Sequence, residues 1–342
     1  MSEAYRAAGV DVAAADALVR RISGPVTATW GPDVVGGFGG FAAGLRLPAG
    51  LDRPVLMLST DGVGTKLDLA RRAGRWEGVG HDLVAMCVDD LAAVGASPIG
   101  FVDYLAVGRL DAARDEAIVR SVAAACGVAG CALVGGETAE HPGVVDADHV
   151  DLAGTALGVV EEGAVLHPGL VADGDVLVGV TSPNLRSNGF SLVRRILADH
   201  DLDVDDAFPD GSGRTVADVV LEPSVVYAPA VGSAIAAGGV HGLCHVTGGG
   251  IVGNLPRVLP EGLGAVVDPT TWEPPTVFTT LVDLAGLGAD DAFGTFNMGI
   301  GFVAVVDPGT ADDVATAFEV AGHPARVIGR VVSGVDGVRL AG

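Results

Sequence analysis

The chain has very little lysine. Only one of its 342 residues, Lys66, carries that side chain, against 19 arginines, 32 aspartates and 11 glutamates, and the formal net charge is −23. Nucleic acids and anionic membranes repel a surface of this charge, which excludes both as partners of the surface as a whole. A surface rich in aspartate and poor in lysine suits a high-salt cytoplasm, where salt screens the repulsion. A GC-rich genome favours the same residues, so both origins stay open.

Aromatic residues are also scarce, at 5% of the chain, whereas 49% of the residues are hydrophobic. This composition fills a large aliphatic core and excludes a disordered chain. The four cysteines show no CxxC pairing, which predicts reduced thiols in a cytoplasmic protein. The opening MSEAYRAAGVDV lacks a basic segment followed by an apolar run, so no signal peptide is predicted. The one long uncharged stretch, residues 223–256, holds eight glycines. We expect it to be a folded segment and not a membrane span.

Strand-like and helix-like patterns are mixed in both halves of the chain, which predicts an α+β or α/β protein of two domains. The glycine- and proline-containing stretch 161–175 is the best linker candidate, so we expect domains at residues 1–166 and 167–342. In the first half, helices are predicted over residues 11–22, 82–94 and 115–125, and strands over residues 55–58, 101–107, 131–134 and 151–160. In the second half, helices are predicted over residues 191–197, 276–285 and 310–321, and strands over residues 176–180, 264–267, 299–306 and 326–332.

The run from Thr60 to Lys66 follows a strand with an apolar pattern. It contains a carboxylate (Asp61), two glycines that let the backbone approach a ligand, and the only ammonium of the chain. A hard oxygen ligand beside a cation is what a magnesium–polyphosphate group requires, although this run is not a GxxxxGK[ST] loop. The alternative is a polar turn after a strand. The rarity of lysine elsewhere favours the phosphate site.

The second candidate lies in the helix predicted over residues 82–94. At 100° per residue its apolar side chains form one stripe, with Asp90 at the edge of the stripe and with Asp82 and Asp89 on the far side. A carboxylate at the boundary of the core is costly unless it is paired or binds a metal. We therefore expect Asp90 to be functional and Asp89 to be solvated; the alternative for Asp90 is a pair with a buried arginine.

The third candidate is the segment Gly135-Gly136-Glu137, which is predicted to follow the strand over residues 131–134. A carboxylate after two glycines at the end of a strand is a weak signal for a metal or phosphate site when it stands alone. It gains weight because three acidic loops would then follow three strands of one domain.

Two loops of the second half resemble anion sites. Ser187-Asn188-Gly189, with Arg186 beside it, precedes a helix, so its side chains either cap that helix or bind a phosphate. Thr247-Gly248-Gly249-Gly250 offers a second backbone of this kind. His245, just before it, is either an acid–base group or a structural histidine. Neither a Ser-His-Asp or Cys-His order nor a zinc-ligand spacing stands out.

Taken in order, these motifs resemble the aminoimidazole ribonucleotide synthetases, also called phosphoribosylformylglycinamidine cyclo-ligases. The matching segments cover nearly the whole chain: YRAAGVDVAAADALVRRI from Tyr5, GGFGGF from Gly36, STDGVGTKL from Ser59, GHDLVAMCVDDLAAVGASPIGFVDYLAVGRLD from Gly80, LVGGETAEHPG from Leu133, DLAGTALGVVE from Asp151, SNGFSLVRRIL from Ser187, HVTGGGIVGNLPRVLP from His245 and TFNMGIGF from Thr295. Asp90 and the Gly95-Ala96-Ser97-Pro98 run also fit the DxxxxGAxP signature of a wider ATP-binding superfamily, which includes selenophosphate synthetase and thiamine-phosphate kinase.

The resemblance implies a fold and a reaction. The N-terminal domain would form a barrel-like sheet across a homodimer, and the C-terminal domain would be an α/β sandwich. ATP with Mg²⁺ would phosphorylate the formyl oxygen of formylglycinamidine ribonucleotide. The ribose-bearing nitrogen would then close the imidazole ring and expel phosphate, in purine biosynthesis. Such chemistry depends on positioning and charge neutralisation more than on a protein nucleophile.

Carried onto this chain, the resemblance assigns a role to each candidate residue. The catalytic set would be Asp61, Lys66, Asp90, Glu137 and His245, with Asp61, Asp90 and Glu137 as magnesium ligands. ATP and its phosphates would contact Lys66, Gly36, Gly37, Gly39, Gly40, Thr60, Gly62, Gly64 and Thr65. The nucleotide substrate would contact Arg186, Ser187, Asn188, Gly189, Thr247, Gly248, Gly249 and Gly250.

The chain differs from the family pattern at three places. Family members usually have histidine at the position of Arg186, a Tyr-Arg pair at Phe293-Gly294, and often lysine at Ser23. Arg186 could replace the arginine missing at Gly294, since both would serve an anionic substrate. Two alternative functions stay open: a superfamily paralogue that phosphorylates another small molecule, and a non-catalytic nucleotide-binding protein.

Overall fold

The computed structural model describes residues 12–341. Tyr5, where the first family-like segment begins, and Asp11, where the first predicted helix begins, lie outside this range. The fold is mixed α/β, with one main sheet in each half. Its strands are β1 (Val34–Val35), β2 (Gly44–Leu45), β3 (Pro54–Gly62), β4 (Ser97–Val107), β5 (Ala132–Glu140), β6 (Val150–Glu161), β7 (Val176–Thr181), β8 (Val240–His245), β9 (Leu263–Val267), β10 (Ile300–Val306), β11 (Ala325–Ser333) and β12 (Val338–Leu340).

The helices connect and cover these strands. The α-helices are α1 (Val12–Thr27), α2 (Lys66–Ala73), α3 (Val79–Ala93), α4 (Ala112–Ala129), α5 (Phe190–Asp199), α6 (Val216–Val220), α7 (Ala228–Ala237), α8 (Gly250–Asn254), α9 (Thr276–Ala285), α10 (Ala289–Phe293) and α11 (Ala311–Val320). Short 3₁₀ turns cover Glu162–Ala164, Pro168–Leu170, Leu255–Val258 and Pro269–Thr271. In the described range, no helix is both long and apolar enough to cross a membrane.

The sheet of the first half has the strand order β3-β6-β4-β5, antiparallel except for the parallel pair β4 and β5. Because side chains alternate between the faces of a strand, the sheet has two different faces. One face packs against α3 and α4. The other face, as far as the chain is described, exposes Leu56 and Leu58 of β3 together with Val102 and Tyr104 of β4. We refer to these four side chains as the open face.

Helix α3 lies between the two halves of the chain. It packs on the first sheet and on α4, and its opposite side contacts α7 and β8 of the second half. Of its 15 residues, 12 are buried, and these include Asp82 and Asp89. A helix that is buried on all sides does not divide into an apolar and a solvated face. The prediction that Asp89 is solvated is therefore wrong.

The second half contains a six-stranded sheet in the order β12-β9-β11-β7-β10-β8, antiparallel except for the pair β12 and β9. All seven residues of β10, which pairs with β7 on one side and with β8 on the other, are buried. The uncharged stretch 223–256 forms α7, β8 and α8, so its prediction as a folded segment is confirmed.

The helices and strands predicted from the sequence are present, with ends shifted by a few residues. Two shifts change an interpretation. The strand predicted over residues 55–58 continues to Gly62, so Thr60, Asp61 and Gly62 lie inside β3 and not in a loop after it. The strand predicted over residues 131–134 continues to Glu140, so Gly135, Gly136 and Glu137 lie inside β5 and not in a loop after it. The stretch between β6 and β7 contains only two short 3₁₀ turns, which agrees with a connecting role.

Candidate active site

Asp61, Asp90 and His245 lie together in the cleft between the two halves. Asp90, on α3, accepts a hydrogen bond from Nδ1 of His245, which ends β8 (2.8 Å), and its other oxygen lies 3.4 Å from the hydroxyl of Ser59 on β3. Asp61, two residues further along β3, accepts a hydrogen bond from the backbone N–H of Gly62 (2.7 Å). Sequence analysis placed these three residues in separate motifs, and the fold brings them to one place.

The electrostatics of this cluster suit a cation. Desolvation raises the pKa of Asp61, and the negative charge of nearby Asp90 raises it further, against the effect of the Gly62 N–H. Burial also raises the pKa of Asp90, but the hydrogen bond from His245 and the positive charge of Arg257 oppose it, and the net shift is downward. Two carboxylates with few protein ligands around them fit Mg²⁺, which usually keeps one or two carboxylates and completes its shell with water and phosphate oxygens. Within residues 12–341, no group of three or more His, Cys, Asp or Glu side chains is arranged to hold a metal by itself.

Lys66 does not occupy the position predicted for it. Its side chain is only 1% exposed, and its ammonium nitrogen donates to Asp82 (2.8 Å) and to the carbonyls of Arg186 (2.9 Å) and Glu222 (3.0 Å). Burial lowers the pKa of Lys66 and raises that of Asp82, and their mutual attraction opposes both shifts. Since an ammonium has three donors, all of them are used inside the protein. The predicted contact between Lys66 and phosphate is corrected: this lysine joins the two halves.

Arg186 is also not available to a substrate. It is 0% exposed, its guanidinium pairs with Asp89 and donates to the carbonyl of Val225 (3.0 Å), and it packs 4.9 Å from the centre of the Tyr227 ring. A buried arginine was the alternative partner expected for Asp90. Arg186 is such an arginine, but it pairs with Asp89. The predicted contact between Arg186 and an anionic substrate is corrected for the same reason: the guanidinium is enclosed.

The loops predicted to hold phosphates meet across the cleft. The Ser187 hydroxyl donates to the carbonyl of Val63 in the loop after β3 (2.9 Å), and Thr65 lies 3.4 Å from Ser191. Asn188 contacts the sulfur of Met86 on α3 (3.2 Å). The end of β3 at Gly62, the loop after it with Gly64, and the loop Ser187–Gly189 therefore form one surface beside Asp61. Thr60, predicted among the ATP contacts, instead donates across the sheet to the Gly154 carbonyl (2.7 Å).

The glycine loop after β8 is held by a residue that the sequence did not single out. The Asn254 amide donates to the carbonyls of Gly248 (3.1 Å) and Gly250 (2.8 Å), and its oxygen lies 3.2 Å from the Thr247 hydroxyl. These bonds fix the shape of the segment Thr247–Gly250 while leaving the backbone of Gly249 unclaimed by Asn254. The signal available in the sequence was Asn254 itself, an asparagine four residues after the glycine run.

Glu137 lies away from the carboxylate pair. Across the sheet, Asp61 is opposite Gly154, Gly154 is opposite Asp103, and Asp103 is opposite Gly136. Three strand spacings separate the edges, which places Glu137 about 14 Å from Asp61. A metal cluster made of Asp61, Asp90 and Glu137 is therefore not formed within one chain, because β3 and β5 are opposite edges of the sheet.

Glu137 instead lines a second cavity, of about 640 Å³, together with the glycine-rich loop of Gly37, Gly39 and Gly40. Its walls are largely apolar and include Leu18 of α1 and Phe38. Gly36, the other predicted loop residue, adjoins this cavity in sequence. The glycine-rich loop and Glu137, which were predicted to belong to one ATP site with Asp61 and Asp90, thus lie together at a separate cavity.

Asp103 is a residue of this cavity that sequence analysis missed. Burial raises the pKa of Asp103 to about 7. A Cβ atom on Gly136 would lie 2.0 Å from Oδ1 of Asp103, so the second glycine of the Gly135-Gly136 pair is needed to make room for this carboxyl group. The glycine pair therefore marks a close approach within the sheet, which was the signal available in the sequence.

A third cavity, of about 340 Å³, adjoins Asp90 and His245 and is also lined by Ser59, Asn254 and Arg257. Arg257 is exposed, and its one side-chain hydrogen bond within residues 12–341, to Asn254, is long at 3.3 Å. Phe293, by contrast, packs edge-on against Trp272 in the core (6.0 Å between ring centres). Arg257, and neither Arg186 nor the Phe293-Gly294 position, thus offers an accessible cation beside the carboxylate pair.

Family models and solved structures match nearly the whole chain. The family model for the N-terminal domain of AIR synthase related proteins matches residues 42–160, and the model for their C-terminal domain matches residues 172–340. Among solved structures, thiamine-monophosphate kinase from Stenotrophomonas maltophilia superposes with a TM-score of 0.70 at 21% identity, covering 97% of both chains. The hydrogenase maturation protein HypE, solved in complex with ATP, gives a TM-score of 0.67 at 21% identity, covering 92% of this chain and 86% of that one. At these identities the likeness establishes the fold.

The sequence relationship is much stronger. The phosphoribosylformylglycinamidine cyclo-ligase of Sorangium cellulosum is 49% identical over 336 residues, which is 97% of this chain and 96% of that protein. The chain belongs to the phosphoribosylformylglycinamidine cyclo-ligase family.

Proposed function

We propose that this protein closes the imidazole ring of aminoimidazole ribonucleotide, using ATP and formylglycinamidine ribonucleotide and releasing ADP and phosphate, in the cytoplasm. The observation that carries the proposal is the carboxylate pair Asp61 and Asp90, held with His245 in the cleft between the halves of a chain of this family. Four free thiols, all within the described range, agree with a reducing compartment.

In this proposal Asp61 and Asp90 hold Mg²⁺ together with the phosphates of ATP. The bound ion would neutralise phosphate charge, which phosphoryl transfer requires. Gly62 at the end of β3, and Gly64 and Thr65 in the loop after it, would approach the phosphates. Ser187, Asn188 and the glycines after Thr247 would position the ribonucleotide, and Arg257 would meet its anionic group. The domains at 1–166 and 167–342 would each supply one wall of the cleft.

The chemistry needs no protein nucleophile. The formyl oxygen of the substrate attacks the γ-phosphorus and ADP leaves. The nitrogen that bears the ribose then attacks the same formyl carbon, and the C–O bond breaks to release inorganic phosphate. The residues of the cleft hold the two reacting parts together, and an intramolecular closure of this kind gains most of its rate from that positioning.

We also propose that the protein is a homodimer in which two open faces pair to form a closed, barrel-like sheet. The open face carries Leu56, Leu58, Val102 and Tyr104, each between 40% and 71% exposed. Apolar side chains grouped on one sheet face are unfavourable in water and mark an interaction surface. The identity of the partner as a second copy follows the family resemblance.

A paralogue acting on another substrate was suggested by Arg186 and Phe293-Gly294. Arg186 and Phe293, however, are buried within the protein, and Gly294 is half-buried and has no side chain that could contact a substrate. The cyclo-ligase is the function we propose.

The test is direct. The purified protein is given ATP, Mg²⁺ and formylglycinamidine ribonucleotide, at low and at high salt. ADP and phosphate should appear in equal amounts with an aminoimidazole detectable by diazotisation. Asp90→Asn should lose most of this turnover, whereas Arg195→Gln, on the exposed side of α5, should keep it. Absence of product above an enzyme-free control at both salt concentrations would refute the proposed function.

A further inference from the structure

The buried Arg186 contacts two side chains of the cleft region, Asp89 and His245. One terminal nitrogen of its guanidinium pairs with Asp89, and the other lies 2.6 Å from Nε2 of His245. Asp89 is itself fixed, because its second oxygen accepts the backbone N–H groups of Tyr227 and Ala228 at the start of α7 (2.8 and 2.9 Å). The guanidinium therefore has a defined position, set by α3 and α7 and not by solvent.

This contact determines which nitrogen of His245 carries the proton. A guanidinium has five N–H donors and no acceptor, so Nε2 of His245 must be the acceptor of the bond to Arg186. The proton of the neutral ring then lies on Nδ1, which faces Oδ1 of Asp90 at 2.8 Å. Without Arg186, either tautomer of the ring would be available, and the Nε2–H form would place a lone pair against the carboxylate of Asp90.

The ring has little freedom to escape this arrangement. It is 5% exposed and stacks on Phe302, with 5.9 Å between ring centres and 21° between the planes. Hydrogen bonds on both ring nitrogens and a packed ring face fix its orientation. Each group thus donates a hydrogen bond to the next: Arg186 donates to Nε2 of His245, and Nδ1 of His245 donates to Asp90.

We propose that Arg186 is a positioning residue, which holds His245 as the Nδ1–H tautomer so that Oδ1 of Asp90 is occupied and Oδ2 is directed toward the cleft. The inference rests on the proposed function in one respect, namely that Asp90 holds Mg²⁺ with the phosphates. A partner that fixes the orientation of a metal-binding group typically affects metal affinity or activity by about 10- to 100-fold. Arg186 would act through this orientation and would not touch the substrate.

The variant for the test is Arg186→Lys, which keeps a positive charge opposite Asp89. Its single ammonium cannot present two nitrogens to Asp89 and His245 as the planar guanidinium does. Arg195→Lys, in the exposed pair with Asp199 on α5, is the matched control. Thermal unfolding of each variant establishes whether the protein is folded before other measurements are made, and Arg186→His serves as a second variant if the lysine form does not fold.

The first readout is the tautomer itself, measured by long-range ¹H–¹⁵N spectra of protein labelled in its histidine rings, with the His245 signals identified by their loss in His245→Asn. We expect the Nδ1–H form in the parent and in Arg195→Lys, and a mixed or Nε2–H population in the Arg186 variant. An Nε2–H form in the parent, or an unchanged tautomer in the Arg186 variant, overturns the proposal. This readout does not depend on turnover, so it separates failure of the inference from failure of the proposed function.

The second readout is kinetic. In the Arg186 variant the Mg²⁺ concentration for half-maximal activity should rise, or kcat should fall, by about 10- to 100-fold, while KM for the ribonucleotide stays within about twofold. A rise in KM for the ribonucleotide with unchanged Mg²⁺ dependence would identify Arg186 as a substrate ligand and would overturn the positioning role.

Discussion

The ammonium nitrogen of Lys66 lies 2.8 Å from Oδ1 of Asp82, and both side chains are 1% exposed. The same carboxylate oxygen also accepts the hydroxyl (2.6 Å) and the backbone N–H (3.0 Å) of Ser224. The pair therefore connects α2 and α3 of the first half to a segment of the second half. The only lysine of the chain thus serves in a buried ion pair.

Lys66→Met should destabilise the protein by about 3–5 kcal/mol, because it leaves the Asp82 carboxylate buried without its counter-charge. Urea unfolding followed by circular dichroism measures the loss. The double variant Lys66→Met/Asp82→Asn removes the uncompensated charge and should recover part of the stability. A stable Lys66→Met protein with weakened ATP binding would instead restore the phosphate-binding role predicted from the sequence.

Gly80→Ala should be strongly destabilising. A Cβ atom at this position of α3 would lie 2.1 Å from backbone atoms of Ser121 and Val122 on α4, so the two helices would have to separate. Overpacking of this kind costs about 1–3 kcal/mol or more. Gly127→Ala, exposed on α4 with nothing within 4 Å of the new Cβ, should stabilise the protein by about 0.5–1 kcal/mol. Equal melting temperatures for the two variants would contradict the packing argument.

Asp103→Asn should change how stability depends on pH. Burial raises the pKa of Asp103 to about 7 in the folded protein, whereas the unfolded value is about 3.9. As pH rises between these values, the unfolded chain releases the proton and the folded protein keeps it, so this group lowers stability across that window and by a constant amount above it. Asn keeps the shape of the neutral acid.

The melting temperature of Asp103→Asn should therefore exceed that of the parent by more at pH 8 than at pH 5. Expressed as free energy of unfolding, the gain of the variant over the parent should be larger at pH 8 than at pH 5 by about 1–3 kcal/mol, after allowance for the partial exposure of Asp103. Thermal unfolding in matched buffers measures it. A difference that is the same at pH 4, 6 and 8 would mean that the carboxyl group is already ionised in the folded protein.

Leu58→Asp should separate the proposed dimer. Leu58 is 71% exposed on the open face, and a carboxylate there would be buried against its own copy across the interface. Light scattering after gel filtration should give the mass of one 34.1 kDa chain for the variant and twice that for the parent. Val320→Asp, at an 85% exposed position of α11, is the control and should leave the mass unchanged. A parent protein that is monomeric at micromolar concentration would remove the basis of the proposal.

Arg257→Gln should weaken binding of the ribonucleotide. Loss of a hydrogen bond to a charged group costs about 1.5–3 kcal/mol, which corresponds to roughly 10- to 100-fold in KM. We expect kcat to change little, because Arg257 lies beside the carboxylate pair and holds no ligand position in it. An unchanged KM would indicate that the anionic group of the substrate binds elsewhere, for instance at the loop after Thr247.

The sequence was sufficient for the strand and helix pattern. It was insufficient for the roles of the charged residues. The helical pattern of α3 identified Asp90 correctly as a boundary residue, but it placed Asp89 in solvent, because a pattern within one helix does not reveal that the second half covers its far side. The rarity of lysine was a real signal, and its cause was a buried ion pair.

The position of Glu137 shows a different limit. Motif order along the chain contains no information about which strands are neighbours, and the crossover that places β6 between β3 and β4 separates Asp61 from Glu137. Arg257 was missed because it follows the glycine loop by seven residues and stands outside the candidate anion sites that the sequence analysis singled out. The order of helices and strands was thus predictable, whereas distances across the sheet were not.

The burial of helix α3 between the two halves affects how cooperatively the chain unfolds. Its sequence belongs to the first half, yet its buried carboxylates Asp82 and Asp89 find their donors in Ser224, Arg186 and the first turn of α7. A fragment ending at residue 166 would keep the pair of Asp82 with Lys66 but would leave Asp89 buried without its counter-charge, and the complementary fragment would carry an unpaired arginine. We therefore expect neither fragment to fold alone and the intact chain to unfold in a single transition, so that two domains by family pattern constitute one unit in folding.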